Sequence, residues 1–315
     1  MTRNIKNASI TLNSVTNGEE LIKDATSLYN ITATLSSVTS FGGKSFQTGL
    51  STANLTFGSL TDGSNLFKGS SVTNLSLSGL GNLSNGESMF SNCSGISSWE
   101  WKTNLPNLSN GQSMFSSCTG LKTVEAQLGT YVENGKNTKL NASNMFKDCS
   151  NLETAYLSLS SLVNGSQMFR GCKKLYWFKS TEIGNDNGKK NPDLSNLENG
   201  SHMFYEAGAS NITPFYSQMP SLRDGHMMFF NSNFTKFGFS SGNTEGDVHI
   251  DMSRLINGSY MFSGRSASAP NKFTCINTKT PELVDGSYMF AYNANLNGYD
   301  GTASSLCLKQ FRRNH

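Results

Sequence analysis

Charge is scarce in this chain. Only 15% of the 315 residues are ionisable at neutral pH, and 25 Lys and Arg nearly cancel 22 Asp and Glu. The resulting net charge of +3 is too small to argue for nucleic acid or an anionic membrane as partner. Lys309, Arg312, Arg313 and His315 make a small basic tail, which a solvated terminus explains. No apolar run is long enough to span a bilayer, and the first residues have no apolar signal-peptide core. Synthesis in the cytosol without general secretory export is therefore expected. Histidine is rare, with four residues, and no CxxC or HExxH spacing occurs, so a zinc site lacks its usual clustered ligands. No GxSxG elbow, P-loop or dinucleotide fingerprint is present, and no cofactor is expected. Hydrophobic residues make up 36%, too few for a compact globule of this length. A solenoid is one side chain thick inside and needs less core.

What is abundant is repetition. The stretch Leu83-Ser-Asn-Gly-Glu-Ser-Met-Phe-Ser-Asn-Cys93 returns as Leu108–Cys118 and Leu162–Cys172, and in shorter form as Leu197–Phe204, Leu222–Phe229, Leu255–Phe262 and Leu283–Phe290. Degenerate copies precede it, and anchoring on the Phe gives about eleven positions: Ile22, Phe46, Phe67, Phe90, Phe115, Phe146, Phe169, Phe204, Phe229, Phe262 and Phe290. Most intervals lie between 21 and 25 residues, the mark of a stacked array. A glycine stands four residues before each anchor except at Ala142. Asn-Gly and Asp-Gly are turn dipeptides, so each coil is expected to bend there with positive φ, and Ala142 alone breaks the series. The Asn or Asp before the glycine forms a column whose amides can bond the next coil's backbone.

After each anchor come a small residue or Cys at three, Leu or Ile at six, and apolar positions at nine and eleven. The alternation is the signature of a strand with one buried face, as in Ala155 and Leu157 around Tyr156. One parallel strand per coil at about 4.8 Å gives a body on the order of 50 Å long. The Met-Phe segment reads as a short 3₁₀ or helical corner with Phe inside. Cys93, Cys118, Cys149 and Cys172 share one repeat position and are expected to form a buried column, while Cys275 and Cys307 lie outside it and could pair. The domain reading is a capping strand over 1–14, a solenoid over 15–296, and a closing strand with the basic tail over 297–315.

Four long intervals hold polar insertions at 129–136, 183–192, 241–247 and 263–270, which read as surface loops. Partner-binding candidates are Tyr131, Asn185, Asp186, Lys189 and Lys190 in these loops, and Glu100, Glu125 and Tyr156 facing outward on strands. Glu100 and Glu125 occupy equivalent positions of adjacent coils and could imitate a glycosidase dyad, although a solvated face is the simpler reading. His202 and His226 stand in neighbouring motifs and can approach across coils. No catalytic, metal or cofactor residue is assigned.

The order Gly-x-x-Met-Phe-x-x-Cys-x-x-Leu, followed by an alternating strand and Leu-x-Asn-Gly, resembles the BspA-like class of bacterial leucine-rich repeats, with Met in place of that family's Ala. The resemblance is closest between Leu83 and Phe178. It implies a right-handed solenoid with a parallel sheet on one side and a role in adhesion or recognition, and it carries over no catalytic residue. The expected function is a non-enzymatic virion component of a bacteriophage, on a tail, fibre or capsid surface, which binds host glycan or surface protein or joins other subunits at the solenoid ends. The alternative is a cell-surface adhesin of a bacterium or protist, and a polysaccharide-degrading enzyme is a distant third.

Overall fold

In the computed structural model, residues 5–293 are described, apart from 22–26, 44–45, 47–48, 97–101, 131, 134–135, 181–191, 211, 213–214, 239–249, 274 and 277. The chain winds into a parallel β-solenoid. Strands β1 (Asn7–Leu12), β2 (Asn30–Leu35), β3 (Thr52–Phe57) and β4 (Asn74–Ser78) pair in that order, in parallel and without a register shift. A second sheet is ordered β12-β10-β6-β5, from β5 (Lys102–Leu105), β6 (Thr123–Leu128), β10 (Thr154–Ser158) and β12 (Trp177–Lys179). Between them lie β7 (Val132–Glu133) and β8 (Lys136–Asn137), an antiparallel hairpin within the first insertion, and the short parallel pair β9 (Leu140–Asn141) and β11 (Leu162–Asn164). Alternation sets the faces: in β3, Ala53, Leu55 and Phe57 are buried while Asn54 and Thr56 are exposed.

The expected eleven coils with one strand each overstate the regular solenoid, which has about six turns. Among the described residues, strands of five or six residues occur only at β1, β2, β3, β4, β6 and β10. In later coils phenylalanines hold the inward strand positions: Phe178 on β12 pairs with Ala155, and Phe215 bridges Phe237 in parallel. Phe178, Phe215 and Phe237 stack on one another and meet the main Phe column edge-on, as at Phe204–Phe215 (5.8 Å, 73°). Two motif columns nevertheless continue. The rings from Phe46 through Phe67, Phe90, Phe115, Phe146, Phe169, Phe204, Phe229 and Phe262 to Phe290 stack one on the next, with centroids 5.1–5.7 Å apart. The Asn/Asp column bridges in parallel from Asn17 through Ser40, Asp62, Asn85 and Asn110 to Asn141, and from Asn164 to Asp285. The Ile22 anchor lies outside the described residues.

The Met-Phe corner is not the expected helix. Among the described residues the only helical turns are 3₁₀ segments at Glu19–Leu21 and Leu80–Asn82. The corner instead combines local turn bonds, such as Met89 N–H to Gly86 O and Cys93 N–H to Phe90 O, with left-handed residues at Ser88 (φ 53°) and Asn92 (φ 61°). This alternation sends the N–H groups of Gly86, Ser88, Phe90 and Asn92 to carbonyls of Asn110, Gln112, Met114 and Ser116 in the following coil. A continued 3₁₀ helix would direct those donors along its own axis and leave the coils unbonded.

Positive φ therefore falls two residues after most motif glycines, on Ser, Asn, Gln, His, Met or Tyr, and among those glycines only Gly42 has it. The glycines are required by crowding instead. A Cβ on Gly86 would lie 3.1 Å from both Sδ and Cε of Met114, and on Gly200 it would lie 3.0 Å from Sδ of Met228. Each motif Met from Met89 onward thus rests on the glycine of the coil before it, except Met168, whose preceding coil carries Ala142. Ala142 is fully buried and its N–H bonds Asn164 O at 2.8 Å, matching Gly86 to Asn110, so the turn there follows the motif, although the adjoining β9–β11 pair shifts register between Leu162 and Asn164.

The Asn column differs from expectation as well. Each Oδ1 accepts the N–H two residues on, as Asn85 does from Glu87 (3.1 Å) and Asn110 from Gln112 (3.1 Å). Where the amides reach across coils they meet side chains: Asn85 Nδ2 donates to Asp62 and Asn257 Nδ2 to Asp224. Local Asx bonds win because the intercoil backbone is already paired.

Candidate functional site

The interior is occupied by structure. Cys93, Cys118, Cys149 and Cys172 are buried free thiols, each donating to the carbonyl of the preceding coil's Phe: Phe67, Phe90, Phe115 and Phe146, at 2.8–3.0 Å. Burial pushes the Cys93 thiol up to about 12 and raises the other three as well, so they act as donors and not as nucleophiles. Past Cys172 the buried Asn271 takes over this task, its Nδ2 reaching Phe229 O and Phe262 O at 2.9 Å. Cys307 lies outside the described residues, as does any pairing with Cys275.

His202 and His226 do approach, with ring centroids 5.1 Å apart. Burial first, then His226 and Arg170, lower the His202 pKa, which keeps its imidazole neutral near pH 7. His226 Nδ1 meets Ser259 Oγ at 2.8 Å. Among the described residues no three His, Cys, Asp or Glu side chains converge to hold a metal ion, and no helix is long and apolar enough to cross a membrane.

Of the candidate binding residues, Tyr131, Asn185, Asp186, Lys189, Lys190 and Glu100 lie outside the described residues. Glu125 and Tyr156 are brought together as register partners on β6 and β10. The register then extends the row to Lys179 on β12 and to Lys102 on β5. This corrects the reading that Glu100 and Glu125 hold equivalent strand positions: the register partner of Glu125 is Lys102. Lys102 lies six residues after Ile96, whereas Glu125 lies four after Leu121, so two additional residues shift the register. The register thus sets residues of opposite charge on neighbouring strands. Beside it Trp177 pairs with Thr154, and the Lys179 ammonium sits over the Trp177 ring at 3.5 Å, a cation–π contact.

Two further faces escaped sequence reasoning. One is an aromatic ridge on the later corners, where Arg170 caps Tyr205, Tyr205 stacks on Phe230 (5.0 Å) and Tyr260 on Tyr288 (4.9 Å). Its signals were two repeat positions, Arg170, Tyr205 and Phe230 directly after the anchor Phe, and His202, Met227, Tyr260 and Tyr288 two residues after the glycine. The other is the outward face of β1–β4. Its register rows are Asn7, Asn30, Thr52, Asn74; then Ser9, Thr32, Asn54, Ser76; then Thr11, Thr34, Thr56, Ser78. None of these is ionisable and none is buried.

The family profile of the BspA type leucine rich repeat region matches six copies, over residues 18–133 and 111–186, together more than half of the chain. The chain belongs to this family. In this BspA-type repeat chain the matched stretch ends at residue 186, soon after β12 (Trp177–Lys179), the last strand of the second sheet. No curated protein and no solved structure matches it.

Proposed function

We propose that this BspA-type chain is a non-enzymatic recognition protein displayed on a surface, that of a virion or of a cell, and that the outward face of the second sheet is its contact surface. One observation carries the reading: register places Lys102, Glu125, Tyr156 and Lys179 in a single row with Trp177 at its side. Tyr and Trp are the residues around which contact hot spots form, and here they rise from a sheet whose other face is filled with core. A host surface protein or glycan is the partner this face suits, and further subunits can meet the solenoid ends. The 183–192 insertion follows β12 in sequence and belongs in the same test.

Purified protein carrying Tyr156→Ala with Trp177→Ala, compared with the unaltered chain, tests the face by flow cytometry on candidate host cells. At least a tenfold loss of binding at unchanged melting temperature is expected, since loss of two aromatic anchors removes about 2 kcal/mol or more. Equal binding by both proteins would move the contact to another face. Deleting residues 183–192 in parallel reports whether that insertion contributes.

A further inference from the structure

We propose that the outward face of β1–β4 is a second, separate docking surface, for a neutral polysaccharide lying across the strands. The inference does not depend on the contact surface assigned to the second sheet. Its twelve outward side chains are all Asn, Ser or Thr, and the absence of any charge there removes the attraction that an anionic polymer, a nucleic acid or a charged protein patch requires. Each hydroxyl and each amide can both donate and accept, which is the chemistry that hydroxyl groups of sugars satisfy.

The spacing fits a polymer. Rows run across four strands with no bulge, repeating every strand at about 4.8 Å, roughly the advance of one pyranose in an extended glycan. The row members are held in place: Asn30 Nδ2 donates to Asn7 Oδ1 at 2.7 Å, and Ser78 Oγ to Thr56 Oγ1 at 3.1 Å. Such fixed groups lose little freedom on binding. At the rim, Tyr29 immediately precedes β2 and is 53% exposed, which supplies an aromatic ring beside the polar rows. The second sheet, with Lys102, Glu125 and Lys179 in its register, offers no comparable neutral lattice.

The test is sedimentation of the full chain with insoluble β-1,4-glucan, chitin and mannan, alongside affinity electrophoresis in soluble neutral glucomannan and in polyanionic pectin. Retention by at least one neutral polymer and none by pectin is expected. The pair Thr32→Lys with Asn54→Lys, both at exposed mid-face positions, should reduce retention at least tenfold with the melting temperature unchanged. Thr32→Ala with Asn54→Ala removes the same hydrogen-bonding groups without adding charge, and should also weaken retention should the lysine pair fail to fold. No retention by any neutral polymer would overturn the proposal. So would retention unaffected by these variants, or retention lost only in Tyr156→Ala with Trp177→Ala, which would assign the glycan to the other sheet.

Discussion

Replacing Phe115 by Ala should lower the unfolding free energy by about 3–5 kcal/mol. Phe115 is 1% exposed and stacks on Phe90 (5.1 Å, 15°) below and on Phe146 (5.5 Å, 9°) above. Its removal opens a cavity in the buried core it shares with Leu121 and Val124. It also breaks both aromatic contacts, each worth about 0.5–1.5 kcal/mol beyond simple burial. In a stacked array each coil is stabilised by its neighbours, so the lesion uncouples the turns on its two sides, and the thermal transition should broaden or split. Differential scanning calorimetry reads this directly. Phe290→Ala serves as a comparison, because Phe290 is only partly buried and belongs to the last described motif; its loss should be much smaller. Unchanged unfolding of Phe115→Ala would mean that the ring column does not hold the coils together.

Gly200→Val is expected to cost about 1–3 kcal/mol through overpacking. A Cβ at Gly200 would stand 3.0 Å from Met228 Sδ and 3.2 Å from Leu222 Cδ1, and the two valine methyls would extend beyond it into the same space. Ala should be milder, because a thioether side chain can shift by a few tenths of an ångström. The decisive comparison is Gly200→Asn. Asn tolerates the left-handed conformation, so a glycine kept for positive φ would accept it at little cost. A glycine kept for space would not, and crowding therefore predicts a loss for Asn at least as large as for Val. A melting temperature for Gly200→Asn close to that of the parent chain would overturn the crowding account.

These two positions also show what was legible in the sequence. The ring column and the thiol column were readable because both depend on a fixed period, and a period survives in one dimension. The reason for the glycines was not readable. Asn-Gly announces a turn, but the side chain that excludes a Cβ arrives one full coil later, with Met228 some way beyond Gly200, and only stacking brings the two together. The left-handed residues, such as Ser88 and His202, carry no compositional mark of their own; the hydrogen bonds to the next coil impose the conformation.

The candidate site was half legible. Tyr156 and Glu125 stand out as outward residues by alternation alone, and the register makes them neighbours. Counting from Phe90 as if no residues were inserted before β5 aligns Glu125 with Glu100 in place of Lys102. Alternation preserves which face a residue occupies, yet an insertion of two residues keeps that parity while moving the partner. The neutral face of β1–β4 is hidden in the sequence for a related reason. Each strand contributes three ordinary polar residues, and their unity appears only when four strands are laid side by side.

The central claim is that register places residues one coil apart shoulder to shoulder on the outer sheet, and disulfide trapping tests it most directly. Glu125→Cys with Tyr156→Cys, register partners on adjacent parallel strands, should close under mild oxidation into an intramolecular disulfide found by peptide mass spectrometry, since Cα atoms about 5 Å apart suit that bond. The buried native thiols of the Cys93–Cys172 column should remain unmodified in the same digest. Failure of the Glu125→Cys and Tyr156→Cys pair to link, with ready linkage of Glu125→Cys to Ser158→Cys instead, would show that the strands are offset by two residues and would dissolve the proposed recognition row.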